Sequence, residues 1–317
     1  MAHQNSINSP ADEQSGLSNR YDFVVFLDVE NGNPNGDPDA GNMPRMDPET
    51  NQGLLSDVSI KRKLRNFVAE VHGNLAPHRI YFTERAVLND AHLEAWTATG
   101  IKPQKENEFK KLPKEDAEAR KITDWMCANF WDIRTFGAVM STGVNAGQVR
   151  GPVQLSFARS EEAIMPMEVS ITRSSVTNEA DRDKERTMGR KHIVPYGLYR
   201  LHGFVNAKLS QRTDFSEDDL KLLWTGLRDM FDFDRSAARG LMSTKRLIVF
   251  RHSSVFGNAP AHRLFERVQV SRVFRGETLP VGDARAHNWP PARKFQDYRI
   301  EVNDAELPEG VTLIDTW

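Results

Sequence analysis

Lys61 and Arg65 stand four residues apart in the run Ser56-Asp57-Val58-Ser59-Ile60-Lys61-Arg62-Lys63-Leu64-Arg65. A helix there sets both cations on one face, with Ser56 near its start. Such a face can grip a phosphate backbone. On the residues alone, a solvated polar face is the commoner meaning of such a run. A second candidate is the loop Asn31-Gly32-Asn33-Pro34-Asn35-Gly36-Asp37-Pro38-Asp39-Ala40-Gly41-Asn42. It reads as a cluster of surface turns, or as a loop whose glycines let the backbone approach a phosphate or a partner. The third is residues 135–151, where Gly137, Gly143, Gly147 and Gly151 alternate with small polar residues and Arg150. Backbone amides freed by glycine can line an anion concavity, and a plain loop explains the composition equally well. Residues 174–194 are polar with almost no core formers, and Arg173, Arg182, Arg186, Arg190, Lys191 and His192 lie in or beside them, with Met188. A solvated loop is one reading; an arm that wedges an apolar side chain between bases is the other.

Several other chemistries drop out. The sequence has no P-loop, G-x-G-x-x-G, H-E-x-x-H or G-x-S-x-G pattern. Its nine His are scattered without ligand spacing, and the single Cys127 excludes an intrachain disulfide framework and a Cys-based zinc cluster. Asp37, Asp39 and Gly41 faintly suggest a calcium loop, but Gly41 and Asn42 fill its fifth and sixth positions and Pro48 stands where the twelfth-position Glu belongs. No metal and no cofactor are expected. The 42 Lys and Arg against 44 Asp and Glu leave a formal charge of −2, so a nucleic-acid partner has to be met by local basic clusters. No stretch approaches the ~18 apolar residues of a membrane span, so no membrane partner is expected. Residues 1–19 lack the basic start and apolar stretch of a signal peptide and read as a disordered leader on a cytoplasmic protein.

The elements that must position these candidates follow from periodicity. Residues 22–29 are apolar on both faces, as a covered central strand is. Ser56 can cap a helix whose buried side is Ile60, Leu64, Phe67, Val68 and Val71, stopped by Gly73. Residues 80–88 are a candidate second strand. Residues 89–123 are charged with a weak apolar stripe and look like a helical insertion. Residues 150–157 and 168–173 are strand candidates, followed by the 174–194 excursion and a strand-like 197–209; an excursion between two strands predicts a long protruding hairpin. Ser216 to Asp219 resembles a capping box, and Leu220, Leu223, Trp224, Leu227, Met230 and Phe231 follow at helical spacing. Residues 247–250 are a short central strand, with weaker strands at 267–274 and 295–302. The order is βαββαβ, an α+β fold of the ferredoxin-like or RNA-recognition-motif kind. The expected division is a palm from 20–88 and 124–256, an insertion at 89–123, and a C-terminal extension, 257–317, packed on the palm.

Taken together, these motifs are more specific than any of them singly. Residues 20–23 leading into Asp28-Val29-Glu30 and the Asn31 to Asn42 loop, the helix start from Gly53 to Asn66, the glycine segment and Gly189-Arg190-Lys191-His192-Ile193-Val194-Pro195-Tyr196-Gly197 closely resemble the backbone subunit of CRISPR Cascade complexes, the Cas seven family in its type I-C branch. The resemblance implies a right hand: an RRM-like palm, a helical fingers insertion at 89–123 and a thumb hairpin at 174–194. It implies that copies stack head to tail along one CRISPR RNA, beside other Cascade subunits. They hold its sugar-phosphate backbone whatever the sequence and present the spacer for pairing with target DNA. By the same resemblance Lys61 and Arg65 are phosphate contacts, with Ser56 beside them, and Asn33 and Asn35 are loop contacts near RNA. Gly143, Asn145, Gly147 and Arg150 are backbone contacts, Met188 and Arg190 thumb residues, and Arg173 a further contact. Two other readings compete with this non-catalytic role. One is a relative that cuts target RNA with a loop Asp, here Asp37 or Asp39; the other is a stand-alone RRM-like RNA-binding module.

Overall fold

A computed structural model describes residues 16–101, 109–183 and 188–316. The long strand β1 (Tyr21–Gly32) leads through the two-residue strands β2 (Gly36–Asp37) and β3 (Met43–Pro44) to β4 (Gln52–Leu55) and helix α1 (Asp57–His72). Helices α2 (Leu88–Ala98), α3 (Asp116–Asn129) and α4 (Trp131–Phe136) precede the hairpin of β5 (Gly137–Ser141) and β6 (Asn145–Arg150). Strands β7 (Val153–Leu155), β8 (Ala158–Ala163) and β9 (Met167–Thr172) are followed by β10 (Met188–Val205), then α5 (Ala207–Thr213), α6 (Glu217–Phe233) and β11 (Leu241–His252). The chain ends with α7 (Ala261–Phe265), β12 (Val268–Phe274), β13 (Glu277–Pro280), β14 (Tyr298–Val302) and β15 (Val311–Thr316).

The main sheet has the order β15-β11-β1-β10-β8-β4. In β1, α1, β8, β10, α6 and β11 this is βαββαβ with the strands in the spatial order 4-1-3-2, antiparallel throughout. That is the ferredoxin-like arrangement expected from the sequence. Alternation along β1 explains why it is apolar on both faces. Phe23, Val25, Leu27 and Val29 pack beneath α1 (Ile60, Leu64, Phe67) and α6 (Leu220, Leu223, Leu227). Val24 and Phe26 point the other way, into a second core with Leu264, Val268, Val270 and Ile300. At one point the sheet allows no side chain at all: a Cβ on Gly203 would sit 2.0 Å from Cζ of Phe23, which is fully buried.

Both helices start where the sequence indicates. Ser56 accepts a hydrogen bond from the Ser59 amide, and Gly73 ends α1 at φ 60°. Ser216 and Asp219 form a reciprocal capping box on α6. A third core joins α2, α3 and the β5–β6 hairpin through Trp96, Ile122, Met126, Met140 and Ala146, so it draws on residues on both sides of 89–123. Buried Arg134 donates to both carboxylate oxygens of buried Asp219, at 2.9 and 2.7 Å, and ties α4 to the start of α6. No helix among the described residues is long and apolar enough to cross a membrane.

Three expectations need correction. Residues 80–88 form no strand before α2, because side chains take the amides a ladder would use: Asn74 accepts from Ile80, and Asp132 from Tyr81 and Phe82. Leu17 and Asn19, expected in the leader, are part of the fold. Leu17 is fully buried and its amide donates to Ser210, while Asn19 donates to the His252 carbonyl; residues 1–15 lie outside the described residues. The C-terminal extension contributes β15, which the sequence reading lacked, as a further strand beside β11.

Candidate nucleic-acid interface

Helix α1 brings Lys61 and Arg65 to one groove of about 570 Å³, walled on the far side by Phe82, Thr83 and Glu84. Neither cation is idle. Lys61 Nζ donates to Asp57 at 2.9 Å, one helical turn back. Arg65 Nε donates at 2.8 Å to Asp132, a carboxylate only 1% exposed that also accepts the Tyr81 and Phe82 amides. The Arg65 guanidinium lies over Phe82 at 5.0 Å. Arg62, absent from the sequence-based assignment, is the most exposed cation of the groove, 3.9 Å from Glu84. Its neighbour Lys63 points inward instead: it is buried and paired with Asp234, and burial holds its pKa below the usual lysine range. One basic run thus divides into two uses, and only the tertiary partners separate them.

The Asn loop is braced against the start of α1. Asn35 accepts a hydrogen bond from the Ser56 amide at 2.9 Å, while the Ser56 hydroxyl caps the helix. Asn33 is buried and closes the loop by donating to the Asn42 carbonyl at 2.7 Å. Asp37 accepts from the Asp39 amide and stands 3.5 Å from Arg45. The loop, Ser56 and the Lys61–Arg65 face therefore belong to one continuous region.

The glycine segment lies elsewhere, on the helical unit. The Asn145 carbonyl accepts from the Trp96 indole at 2.8 Å, and its side chain accepts from the Gly147 amide at 2.8 Å. Gly147 has φ 91°, and a Cβ there would lie 2.5 Å from Thr123. A Cβ on Gly143 would lie 3.2 Å from Asn89, whose side chain accepts from Thr142 and Val144. These glycines and amides serve the packing of the hairpin on α2 and α3. Arg150 is exposed at the end of β6.

The remaining candidates sit on a two-stranded ribbon. Residues 188–193 of β10 leave the main sheet and pair only with β9, every residue of which is exposed. The register sets Met167, Val169, Ile171 and Ile193 on one side, and Glu168, Ser170, Arg190 and His192 on the other. Met188 is 70% exposed, Arg190 stands 3.2 Å from Glu168, and Arg173 donates to Thr177 at 3.0 Å. Arg186 lies outside the described residues.

Residues 19–303 match the family of CRISPR-associated protein Cas7. The chain belongs to that family. A CRISPR-associated protein Cas7 from Haloferax volcanii is 24% identical over 233 residues, covering 67% of this chain and 65% of its own length, just under two thirds of that relative. Among solved structures, a chain of a CRISPR RNA-guided surveillance complex in a pre-nicking state is 16% identical, with a TM-score of 0.47 over 73% of this chain and 78% of its own. A chain of the Type III-B Cmr-beta complex bound to cognate target RNA is 11% identical, with a TM-score of 0.39 over 73% and 61%.

In this Cas7-family chain the sheet face that an RNA recognition motif uses for stacking bases is covered. The C-terminal three-stranded sheet, β13-β12-β14, packs over Val24, Phe26, Leu198 and Ile248. Arg272 clamps it down by donating to both oxygens of Glu162, at 3.0 and 2.9 Å, and the Tyr298 hydroxyl donates to Glu162 at 2.6 Å. Beneath that cover Asp28 accepts from the Tyr196 hydroxyl at 3.1 Å, and burial raises its pKa above the usual carboxylate range. On this Cas7-family chain that sheet face is therefore not open to bases, as it would be on a solitary module.

Proposed function

We propose that this chain is the non-catalytic backbone subunit of a type I, I-C-like CRISPR surveillance complex in the cytoplasm. Copies of it line up head to tail on a CRISPR RNA, next to other Cascade subunits. Each holds the sugar-phosphate chain without regard to sequence and leaves the spacer free to pair with target DNA. The ferredoxin-like sheet is the palm, the α2–α3 unit the fingers, and the β9–β10 ribbon the thumb that displaces a nucleotide. One observation carries the reading: a single strand, β10, is locked into the sheet along 194–205 and continues as a ribbon clad in exposed cationic and apolar side chains. Family membership and the I-C-like motifs support it. The cover over the sheet face weighs against the stand-alone module. Loop-Asp cleavage gains no support from Asp37, whose carboxylate faces Arg45 and caps the Asp39 amide.

The test uses Lys61→Ala with Arg62→Ala. Arg65 is left in place, because its loss would strand the Asp132 charge. The double variant should bind CRISPR RNA more weakly whatever the spacer. Its plot of log affinity against log salt should be shallower by about 1.4, some 0.7 for each phosphate of a single strand that is no longer neutralised. Sedimentation should find many copies per guide, and complementary RNA with Mg²⁺ should stay intact. An unchanged salt slope, one copy on a long guide, or specific cuts in the added RNA would each overturn the assignment.

A further inference from the structure

The groove beside α1 holds one side chain that phosphate binding leaves unexplained. Phe82 is 43% exposed, yet both its backbone and its ring have partners in the fold. Its amide donates to buried Asp132 at 3.2 Å, its ring packs edge-on against Tyr81 at 4.6 Å, and Arg65 covers part of it at 5.0 Å. The same buried carboxylate fixes the cation and the aromatic together, since Arg65 and Phe82 both hang from Asp132. The uncovered part of the ring lines the groove, with Val58 and Leu88 near it and Lys61 and Arg62 on the helix wall.

We propose that this groove is a single-nucleotide subsite in which Phe82 is the platform for one base of the bound RNA while Lys61 and Arg62 take the two phosphates that flank it. The inference rests on the RNA-binding reading above and names a residue that the sequence-based site lacked. An exposed aromatic ring with cations one side chain away is the combination that holds single strands without reading sequence, because every base presents a π-face. Charge favours a nucleotide over an apolar protein segment here: Arg62 is the most open cation of the groove, and its acidic neighbour, Glu84, is 3.9 Å away and itself 76% exposed. The rigid mounting of Phe82 matters physically, since a ring already fixed in place loses little freedom when a base lands on it.

Guide RNAs carrying 2-aminopurine at one position at a time test this with the full chain. In the unaltered protein, fluorescence should be quenched at positions that recur along the guide. Phe82→Trp should keep the quench. Phe82→Leu should remove it and weaken binding of a one-protomer oligonucleotide about tenfold. The salt slope of Phe82→Leu should match the unaltered protein, since the ring carries no charge; removal of Lys61 and Arg62 has the opposite signature. Thermal melts of both variants check that the fold survives. Phe82→Leu with affinity and quench intact overturns the platform. So does a variant that keeps the quench and loses only association between protomers, which assigns the groove to a second copy. Should the unaltered protein bind no RNA, the functional reading fails first and the platform with it, an outcome distinct from the other two.

Discussion

The two halves of β10 obey one alternation and meet opposite fates. Along 194–205 the strand has β1 on one side and β7 and β8 on the other, and Val194, Leu198, Tyr199, Leu201 and Val205 are buried. Along 188–193 it pairs only with β9, and Met188 and Arg190 are exposed. The side chains still alternate there, with Met167, Val169, Ile171 and Ile193 on one side around Lys191, but Met167, Val169 and Ile171 face solvent. A two-stranded ribbon has marginal stability of its own. This one is anchored because its strand is also a central strand of the sheet. The sheet half makes the fold; the ribbon half leaves Met188 and Arg190 exposed, free for something outside.

The comparison breaks most sharply at Gly203. Its missing Cβ is what lets the Phe23 ring cross beneath β10. Phe23 is fully buried and has nowhere to retreat. Gly203→Val should therefore cost about 3 kcal/mol, the upper end of ordinary overpacking, read as a fall in the urea midpoint. Adding Phe23→Leu should recover part of it. A midpoint unchanged by Gly203→Val would mean that the sheet half is no tighter than the ribbon.

A smaller effect is expected from pH. His202, also in the sheet half, lies tilted against Phe265 at 4.4 Å, and burial, helped by Arg200, pushes its pKa down to about 4. In the unfolded chain the ring titrates near 6.5. Between those values the unfolded state holds more protons, so this contribution is complete above about pH 6.5 and is lost as pH falls toward 4. Discounted for a ring still partly open to solvent, it amounts to about 1–2 kcal/mol. His202→Phe should flatten the acid side of the stability profile between pH 7 and 4.5; a profile parallel to that of the unaltered chain would remove His202 as its cause.

What the sequence makes legible follows the same division between local and tertiary causes. β1, α1, α6 and β11 declare themselves by periodicity and caps, because their buried sides recur at fixed spacing along the chain. Residues 80–88 have the composition of a strand, but Asn74 and Asp132 bind their amides, and nothing local announces that. The basic run of α1 reads as one surface; Asp132 and Asp234, 67 and 171 residues away from Arg65 and Lys63, decide which cations reach the groove. Phe82 gives no signal for the same reason, being one of two adjacent aromatics in an expected strand. Asn33 and Asn35 are legible as special loop residues, whereas their bracing of the loop and the helix start needs the folded chain to be seen.

The mildest substitutions give the most pointed contrast. Met188 and Arg190 are 70% and 74% exposed, and the pairing of Arg190 with Glu168 is a surface one, so replacing both with Ser should move stability by no more than about 0.5 kcal/mol. Folding and melting should look unaltered. The effect belongs to assembly: fewer protomers per guide in sedimentation, with the affinity of an isolated protomer for a short oligonucleotide nearly unchanged, since the α1 groove is untouched. If instead the double variant lost as much stability as Gly203→Val, the ribbon would be part of the fold and the contrast within β10 would vanish. If it assembled like the unaltered chain, the Met188–Arg190 side of the ribbon would have some other purpose. Side chains that contribute nothing to folding are free to be chosen for a partner, and only a measurement made with the partner present can register their removal.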